Sequence, residues 1–469
     1  MWTPHLSPSA LEKGSPTWGS GQEDERWRTM ALIDRRTFIK AASGGAVVAA
    51  FSPFSAPWAY AGVAGRTDQY DAAVALAHAN AALRVIKSTP GFSPPVASRF
   101  LAYMGVALYA AVAPGMPGYR PLAGLFPGFP EVPETPHAGL HWPTVANHAI
   151  STALASMVPA GSAAEDLIRA TAVSQDRTDS LPAPLMQRSI RRGEMVGLAT
   201  ADWAEGDGGH NGYLKNFPAG YVSPVGPGLW EPTAPALQPI PLQPFWGENR
   251  TFVHTLAGVA PPPTYSTSPG SEFYDYANEV YLISQNLTAD QTEIARFWAD
   301  DPGTVTPPGH SISMTAQVLE SEGASLAMAA ETLLRVGCAV ADAFIQCWHT
   351  KFIWNLVRPV TFVRALIDAT WLPIVTTPPF PEYNSGHSTQ SGAWAEVMTS
   401  LFGSGYEFTD HTHDVSGAKP RSFVSFREAA EEAALSRLFG GIHYAFSNDS
   451  GLTVGQSVGR AAAEVTLTR

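Results

Sequence analysis

The sequence predicts a mostly α-helical protein whose helices are joined by long loops. Apolar residues recur at intervals of three and four along most of the chain, which is the spacing of one helix face, and no segment keeps the alternation typical of a strand. Hydrophobic residues make up 45% of the 469 residues and charged residues 15%, as in globular proteins with a sizeable core. The 41 glycines and 40 prolines indicate that much of the chain connects helices.

The N-terminal part carries a predicted export signal. Asp34 to Lys40 reads as a twin-arginine pattern, and an apolar run over 41–54 and small residues around Tyr60 follow it. The apolar run is too short to span a membrane as a mature helix. We expect residues 30–61 to engage the twin-arginine translocase, so that the protein works in the periplasm or outside the cell. Residues 1–29 are expected to be a non-native extension, and a basic amphipathic first helix is the alternative to the signal.

Helical periodicity continues through a supporting region, 67–288, which a long loop interrupts over 206–270. Loops of this length inside a compact domain are usually functional. We therefore expect a wall or lid over a site, anchored by Phe217, Trp230 and Phe245. The helices predicted in this region are Asp68–Ser88, Pro94–Ala113, Val145–Val158, Ser162–Ser174, Pro182–Glu205 and Glu272–Ser284.

The remaining region, 289–469, holds the motifs described below and is expected to form one compact domain with the preceding part. A helix is predicted over Ala289–Ala299, and one long helix from about Ser311 to Thr350. Cys338 and Cys347 lie nine residues apart in this long helix, roughly 13 Å at the helical rise, so they are expected to be buried free thiols. The net charge of −12 excludes the basic surface that nucleic-acid binding requires.

Two cations are spaced to meet near the end of the long helix. Lys351 and Arg358 are seven residues apart, about two helical turns, so the pattern predicts that both project from one face. Pro359 disfavours helix at the residue before it and ends the helix nearby. A solvated Lys/Arg pair explains this motif equally well when it is considered alone.

A helix N-terminus is predicted at the Ser385-Gly386-His387 tripeptide. Apolar residues from Trp394 to Phe402 follow at helical spacing, and Gly403 ends the helix. With Ser385 as the N-cap, the free amides after it can bind an anion. Gly386 lets an anion approach the backbone closely, and His387 can act as acid or base beside it. A capping serine with an incidental histidine is the alternative.

A third motif places an arginine on the buried face of a helix. Arg437 shares this face with alanines of the segment 430–434, and a buried arginine requires a negative partner. Gly440 and Gly441 break the helix, so that His443 can return toward the same centre. An arginine that reaches solvent and a hydrogen-bonded core histidine are the alternative.

Together, the three motifs describe a site for a tetrahedral dianion or trianion. Arginine and lysine supply charge-assisted hydrogen bonds to the equatorial oxygens of such an anion. One histidine is then left to attack or ligate the central atom, and the other to move protons.

The three motifs have the spacing and the order of those in the vanadium haloperoxidases and the type-2 phosphatidic acid phosphatases. The chain resembles this superfamily over about residues 289–459, which implies a helical bundle and vanadate as cofactor. The resemblance implies that His443 is the axial ligand of the metal and that His387 is the acid–base residue. It also implies that five residues hold the equatorial oxygens: Lys351, Arg358, Ser385, Gly386 and Arg437.

The resemblance extends to two further positions. The segment from Phe297 to Asp301 is similar to the haloperoxidase segment whose aspartate pairs with the second arginine, which implies a catalytic role for Asp301 and a salt bridge to Arg437. Phe380 stands where chloroperoxidases have phenylalanine in the halide pocket and bromoperoxidases tend to have histidine.

The chain departs from the family pattern at two positions beside the motifs. Asn384 replaces the usual proline before the serine. Ser447 stands where an aspartate normally orients the ligating histidine, and Asp449 lies two residues further on, which puts the affinity of His443 for the metal in doubt. His411 and His413 are expected to belong to a polar loop, with a surface metal site as the alternative.

The favoured function is a vanadate-dependent haloperoxidase that oxidises halide with hydrogen peroxide to hypohalous acid. An acid phosphatase could use the same residues, with His443 forming a phosphohistidine and His387 protonating the leaving group. A noncatalytic oxyanion-binding protein is a third hypothesis. His387 argues against the third, because a pure binder needs no residue that moves protons.

Overall fold

The computed structural model describes residues 65–133, 139–177 and 180–469, and the predicted signal and the extension before it lie outside these residues. Helices dominate the described part, as the periodicity predicts. They are α1 (Ala73–Ser88), α2 (Pro94–Val112), α3 (Trp142–Ala155), α4 (Ala163–Asp176), α5 (Ala183–Glu205), α6 (Glu272–Gln285), α7 (Ala289–Phe297), α8 (Thr306–Ser321), α9 (Leu326–Trp354), α10 (Pro359–Leu366), α11 (Gly386–Phe402), α12 (Phe426–Phe439) and α13 (Ala445–Ala463).

A short antiparallel hairpin is the one sheet in the described residues, and the sequence did not predict it. Its strands are β1 (Phe408–Asp410) and β2 (Arg421–Phe423), with Phe408 opposite Phe423. Three residues per strand are too few for a recognisable alternation. The loop between the strands carries the two histidines of the 411–413 segment.

Helices α2 and α9 form the centre of the core. α2 is long and apolar enough to cross a membrane by length and composition, but 94% of its most apolar stretch is buried inside the protein. At Gly105 an added Cβ would lie 2.3 Å from the carbonyl oxygen of Leu333, so glycine permits the close approach of these two helices. Cys338 and Cys347 are free and buried on α9, as predicted.

Close packing of α11 against α13 fixes the helix start that carries the Ser-Gly-His motif. An added Cβ at Gly455 would lie 2.1 Å from the carbonyl oxygen of Thr389, and one at Gly459 would lie 2.5 Å from that of Ala393. A side chain at either glycine would therefore push the two helices apart. The N-terminus of α11 is thus held beside the segment that precedes α13, where His443 lies.

Two helix predictions are wrong in detail. The single long helix expected over 311–350 is two helices, because Gly323 adopts a left-handed φ of 56° and Ser325 caps the start of α9. Lys351 and Arg358 do not share a helix face. α9 ends at Trp354 because Asn355 is left-handed, and Arg358 is the N-cap of α10, which begins at Pro359.

The long loop 206–270 packs along α9 as a wall of the cavity described below. The carboxylate of Asp342, on α9, accepts hydrogen bonds from the backbone amides of residues 252, 253 and 254 at 2.7–2.8 Å. Trp230 is buried, as expected of an anchor, but Phe217 and Phe245 are exposed, so the prediction fails for these two rings. The apolar pattern alone could not show that Phe217 faces a solvent-filled cavity.

Candidate active site

Lys351 and Arg358 are fully buried cations at the junction of α9 and α10. The ammonium group of Lys351 donates to the carbonyl oxygens of Pro381 and Glu382 at 2.9 and 2.8 Å. Arg358 donates through Nε to Phe380 and through Nη1 to Ile442, while its Nη2 has no partner among the described residues. A buried guanidinium with an unused donor is poised to bind an anion.

Burial lowers the pKa of both cations without removing their charge near neutral pH. The pKa of Lys351 falls to about 8 because burial penalises the ammonium ion, and that of Arg358 falls to about 10 for the same reason. Glu382 opposes both shifts. Both groups therefore remain cationic at pH 7.

Arg437 is the third buried cation, and the ion pair expected for it with Asp301 is wrong. Its Nη2 donates to the carbonyl oxygens of Trp298 and Ala295 at 2.6 and 3.2 Å, and its Nε donates to Ser436. Asp301 is exposed, and none of the ion pairs of the described residues joins it to Arg437. The carbonyl groups at the C-terminal end of α7, which carry the negative end of the helix dipole, make the direct contacts, while Asp300 and Asp301 act on Arg437 without touching it.

The start of α11 supplies backbone donors beside these cations. Ser385 is the N-cap, and its Oγ accepts hydrogen bonds from the amide and the hydroxyl of Ser388 at 3.4 and 2.9 Å. The first amides of the helix, at Gly386 and His387, have no intrahelical acceptor. Asn384 is buried and donates to the hydroxyl of Thr389 at 3.3 Å, which ties the turn to the helix despite the missing proline.

A buried carboxylate that the sequence did not reveal orients His443. Glu382 Oε1 lies 2.7 Å from His443 Nδ1 and also accepts from the amide of Tyr444 at 3.1 Å. A proton on Nδ1 shared with a carboxylate leaves the lone pair on Nε2, as in metal-binding histidines. Glu382 thus occupies the role expected of position 447, and Asp449 is exposed.

The charge state of His443 follows from its surroundings. Burial lowers its pKa well below the usual value, and Arg358, Lys351 and Arg437 lower it further. Its Nε2 lies 3.3 Å from Nη1 of Arg358. His443 is therefore neutral in the physiological range and can ligate a metal.

His387 lies at the first turn of α11 with 15% of its side chain exposed. Its Nε2 makes no hydrogen bond among the described residues and lies 4.0 Å from Oδ2 of Asp300. Burial lowers the pKa of His387 well below the usual value, with Arg437 lowering it further and Asp300 opposing the shift. A neutral imidazole with a free nitrogen can accept a proton from a bound molecule.

These groups surround the inner end of a cavity of about 510 Å³. We call this inner end, where the charged groups meet, the oxyanion pocket. Gly386, His387, Arg437 and His443 line the cavity, while the fully buried Lys351, Arg358 and Ser385 lie behind its surface. The outer walls are mostly apolar. Phe380 lines the cavity near both cations, with its ring centroid 4.9 Å from the Arg358 guanidinium carbon and 5.2 Å from Lys351 Nζ.

A second group of titratable side chains lies behind His387. It consists of Asp300, His310, His413 and Asp410, and we call it the Asp300 cluster. His310 Nδ1 lies 3.0 Å from Asp300, and its Nε2 lies 2.6 Å from Asp410. The two carboxylates overcome the effect of burial and raise the pKa of His310 to about 10. The expectation of a polar surface loop holds for His411 but fails for His413, which is 13% exposed and faces Asp300.

The members of the Asp300 cluster come from α8, from β1 and from two loops, so no sequence spacing links them. Asp300 itself adopts a left-handed φ of 47°, which aspartate tolerates better than most residues. The neighbouring Trp298 stacks on the His310 ring at a centroid distance of 4.5 Å. Asp300 and Asp301 are consecutive, and nothing in the sequence indicates which of the two is the functional residue.

The donors of the oxyanion pocket fit a tetrahedral oxyanion such as vanadate or phosphate. The unused Nη2 of Arg358, the free amides at the start of α11 and two further cations supply positive hydrogen-bond donors, and the Nε2 lone pair of His443 can reach a central atom.

Known proteins share the fold and part of the sequence of this chain. Residues 367–468 match the VCPO second helical-bundle domain. A bacterial vanadium-dependent iodoperoxidase of known structure is 33% identical, with a TM-score of 0.75 over 83% of this chain and 95% of that protein. The holo and apo structures of a bacterial vanadium-dependent chloroperoxidase share the fold at 15% identity and a TM-score of 0.63, covering 81% and 85% of this chain and 93% and 98% of theirs. No curated protein matches the chain.

Proposed function

We propose that this chain, which belongs to the family of vanadium-dependent haloperoxidases, oxidises halide with hydrogen peroxide to hypohalous acid in the oxyanion pocket. One observation carries the proposal: His443 is held as a neutral ligand by Glu382, next to a buried arginine with an unused donor. A histidine whose other nitrogen is bound to a carboxylate is the arrangement that metal ligation requires.

The residues that would hold vanadate follow from the geometry of the pocket. His443 would ligate the metal through Nε2. Lys351, Arg358 and Arg437 would neutralise the equatorial oxygens, with the Ser385 hydroxyl and the Gly386 amide completing the donors. When bound, vanadate supplies a Lewis acid that activates peroxide toward attack by halide.

His387 would handle the protons of the reaction. Conversion of halide and hydrogen peroxide to hypohalous acid and water consumes one proton, so the site needs a group that accepts the peroxide proton and returns it to the departing oxygen. His387 is neutral and lines the cavity beside Arg437, which matches this task. Phe380 would form the apolar side of the halide position and keep water from it.

The competing functions are less well supported. An acid phosphatase could use His443 as nucleophile, but the chain is related to haloperoxidases over most of its length. A noncatalytic oxyanion-binding protein has no use for His387. Export by the twin-arginine route stays part of the proposal because of the Arg35-Arg36 pattern. Replacing both arginines by lysine should keep the protein in the cytoplasm, and unchanged export would contradict this part.

The test is a halogenation assay on purified protein with monochlorodimedone, hydrogen peroxide and each halide in turn, with and without orthovanadate. Iodide should be among the halides because one relative is an iodoperoxidase. We expect activity that requires vanadate and is suppressed by excess phosphate. Absence of halogenation with every halide, together with vanadate-inhibited hydrolysis of p-nitrophenyl phosphate, would favour the phosphatase instead.

A further inference from the structure

We propose that Asp300, His310 and His413 form a binding site for a divalent cation of the zinc type beside the oxyanion pocket. Each residue offers one ligand atom, and these atoms all lie within 4.8 Å of one another. Oδ2 of Asp300 is 3.0 Å from His310 Nδ1, and Oδ1 is 3.2 Å from His413 Nε2. Ligands bound tetrahedrally to zinc at the usual distances lie about 3.3 Å apart, so the two aspartate–histidine distances are near ligand spacing, each through a different carboxylate oxygen.

Two of the ligand atoms lack a hydrogen bond. Oδ1 of Asp300 and Nε2 of His413 are both buried and lie 3.2 Å apart as an ion-pair contact, but neither makes a hydrogen bond of normal geometry among the described residues. The Asp300 side chain is 1% exposed. A buried carboxylate oxygen without a donor is costly, and a cation between the two atoms would satisfy both.

His310 has the outer support that a ligating histidine needs. Its Nε2 lies 2.6 Å from Asp410, and Asp410 is itself fixed by the amide of Thr412 at 2.9 Å. A carboxylate that holds one nitrogen while the other faces the metal is the usual support of metal-binding histidines. The proton that His310 Nδ1 shares with Asp300 would leave when the cation binds, so that binding releases a proton.

A second cavity gives the cation a path to this site. This cavity has a volume of about 570 Å³, and Asp300 and His413 lie on its wall. Arg296 and Lys419 are exposed on the same wall, so it reaches solvent. Acidic groups on the wall balance these two cations and allow a divalent ion to approach.

The ligand set selects the class of cation. Two imidazoles and one carboxylate suit zinc, nickel or copper, whereas magnesium and calcium prefer sets made of oxygen ligands. Nε2 of His387, which makes no hydrogen bond among the described residues, lies 4.0 Å from Asp300 Oδ2, so the set adjoins the oxyanion pocket.

The test is a titration of the full chain with Co²⁺ in the absence of vanadate, peroxide and halide. We expect one bound ion per chain, with the intense visible bands of a low-coordinate cobalt site, displacement by Zn²⁺ and release of about one proton. Because no turnover is measured, the result is independent of the proposed haloperoxidase activity.

His413→Ala and His411→Ala form a matched pair of variants in one loop. Since His411 is half exposed and pairs only with Asp414, its loss should leave Co²⁺ binding unchanged. Loss of the His413 side chain should lower the affinity for Co²⁺ by at least about 10–100-fold, which is the effect of losing a residue that only supports a metal ligand. No saturable binding by the unsubstituted chain, or equal affinity in the His413→Ala variant, would overturn the proposal.

Discussion

The oxyanion pocket and the Asp300 cluster are adjacent and both buried, yet the histidines of the pocket are neutral while His310 of the cluster is cationic. In the pocket three cations surround His443 and His387, and burial together with these cations lowers the pKa of both. In the cluster two carboxylates flank His310 and raise its pKa to about 10. Burial lowers the pKa of all three histidines, so the difference in protonation state follows from the charges beside them.

The balance of charge also separates the two regions in function. The cluster has two carboxylates, Asp300 and Asp410, for one cationic histidine, so a negative charge remains there that a cation can balance. The pocket holds three cations and one carboxylate of its own, Glu382, while Asp300 lies on the wall that the cavity shares with the cluster. The cations donate to backbone carbonyl groups, which carry no full charge, so an anionic ligand would neutralise the positive charge that remains.

The largest expected effect belongs to His387. If this neutral histidine moves the protons of the reaction, His387→Ala should lower kcat by about 10²–10⁴-fold. Vanadate affinity should change little, because the cations and His443 remain. The measurement is steady-state halogenation across a vanadate titration, with His411→Ala as the control. A loss of affinity as large as the loss of kcat would mean that His387 mainly builds the pocket.

Glu382 tests how the pocket keeps His443 available as a ligand. Glu382→Gln preserves the size of the side chain but removes the charge that supports Nδ1–H, so the Kd for vanadate should rise about 10–100-fold. Asp449→Asn is the matched control, because this exposed aspartate is the other carboxylate near position 447. If Asp449→Asn weakens binding and Glu382→Gln does not, the assignment of the orienting carboxylate is wrong.

The positive charge of His310, in the Asp300 cluster, can be tested through the pH dependence of stability. Since its pKa in the folded state is raised to about 10, its ion pairs stabilise the fold fully below the unfolded pKa near 6.5 and lose this effect as pH rises toward 10. In chelator-treated protein, His310→Gln should reduce the free energy of unfolding by about 2–4 kcal/mol at pH 6 and by much less at pH 10. Urea denaturation at both pH values checks this, and a pH-independent difference would contradict a charged His310.

Asp301 should give the smallest effect. Because it is exposed and makes no ion pair with Arg437, Asp301→Asn should change the free energy of unfolding by no more than about 0.5 kcal/mol. Halogenation should also stay near the unsubstituted rate. A large loss of stability or of halogenation activity would support the ion pair between Asp301 and Arg437 that the family resemblance implies. Arg437 would then rely on a carboxylate rather than on carbonyl groups.

The sequence predicted the helical fold and the groups of the oxyanion pocket because both depend on local patterns. Helical periodicity extends over many residues, and the three motifs consist of short runs such as Ser385-Gly386-His387 that keep their spacing. The prediction failed where the outcome depended on one backbone angle. The left-handed backbone at Gly323 divides the predicted long helix in two, and that at Asn355 ends α9. The hydrophobic pattern contains no information about such angles.

Contacts between distant segments were the other limit. Glu382 is 61 residues from His443, and His310 is 100 residues from Asp410. Their pairing arises from the packing of separate helices, which a single sequence does not record. For the same reason the choice between Asp300 and Asp301 depended on which side chain turns inward: Asp300 is buried and Asp301 is exposed.

The most direct test of the oxyanion pocket is a crystal structure of the protein soaked in orthovanadate, with anomalous data collected at the vanadium edge. We expect one vanadium peak at Nε2 of His443, with Arg358 Nη2 and the start of α11 in contact with its oxygens. A peak elsewhere, for example beside Asp300 and His413, or none in the cavity, would contradict the assignment of these residues to the cofactor.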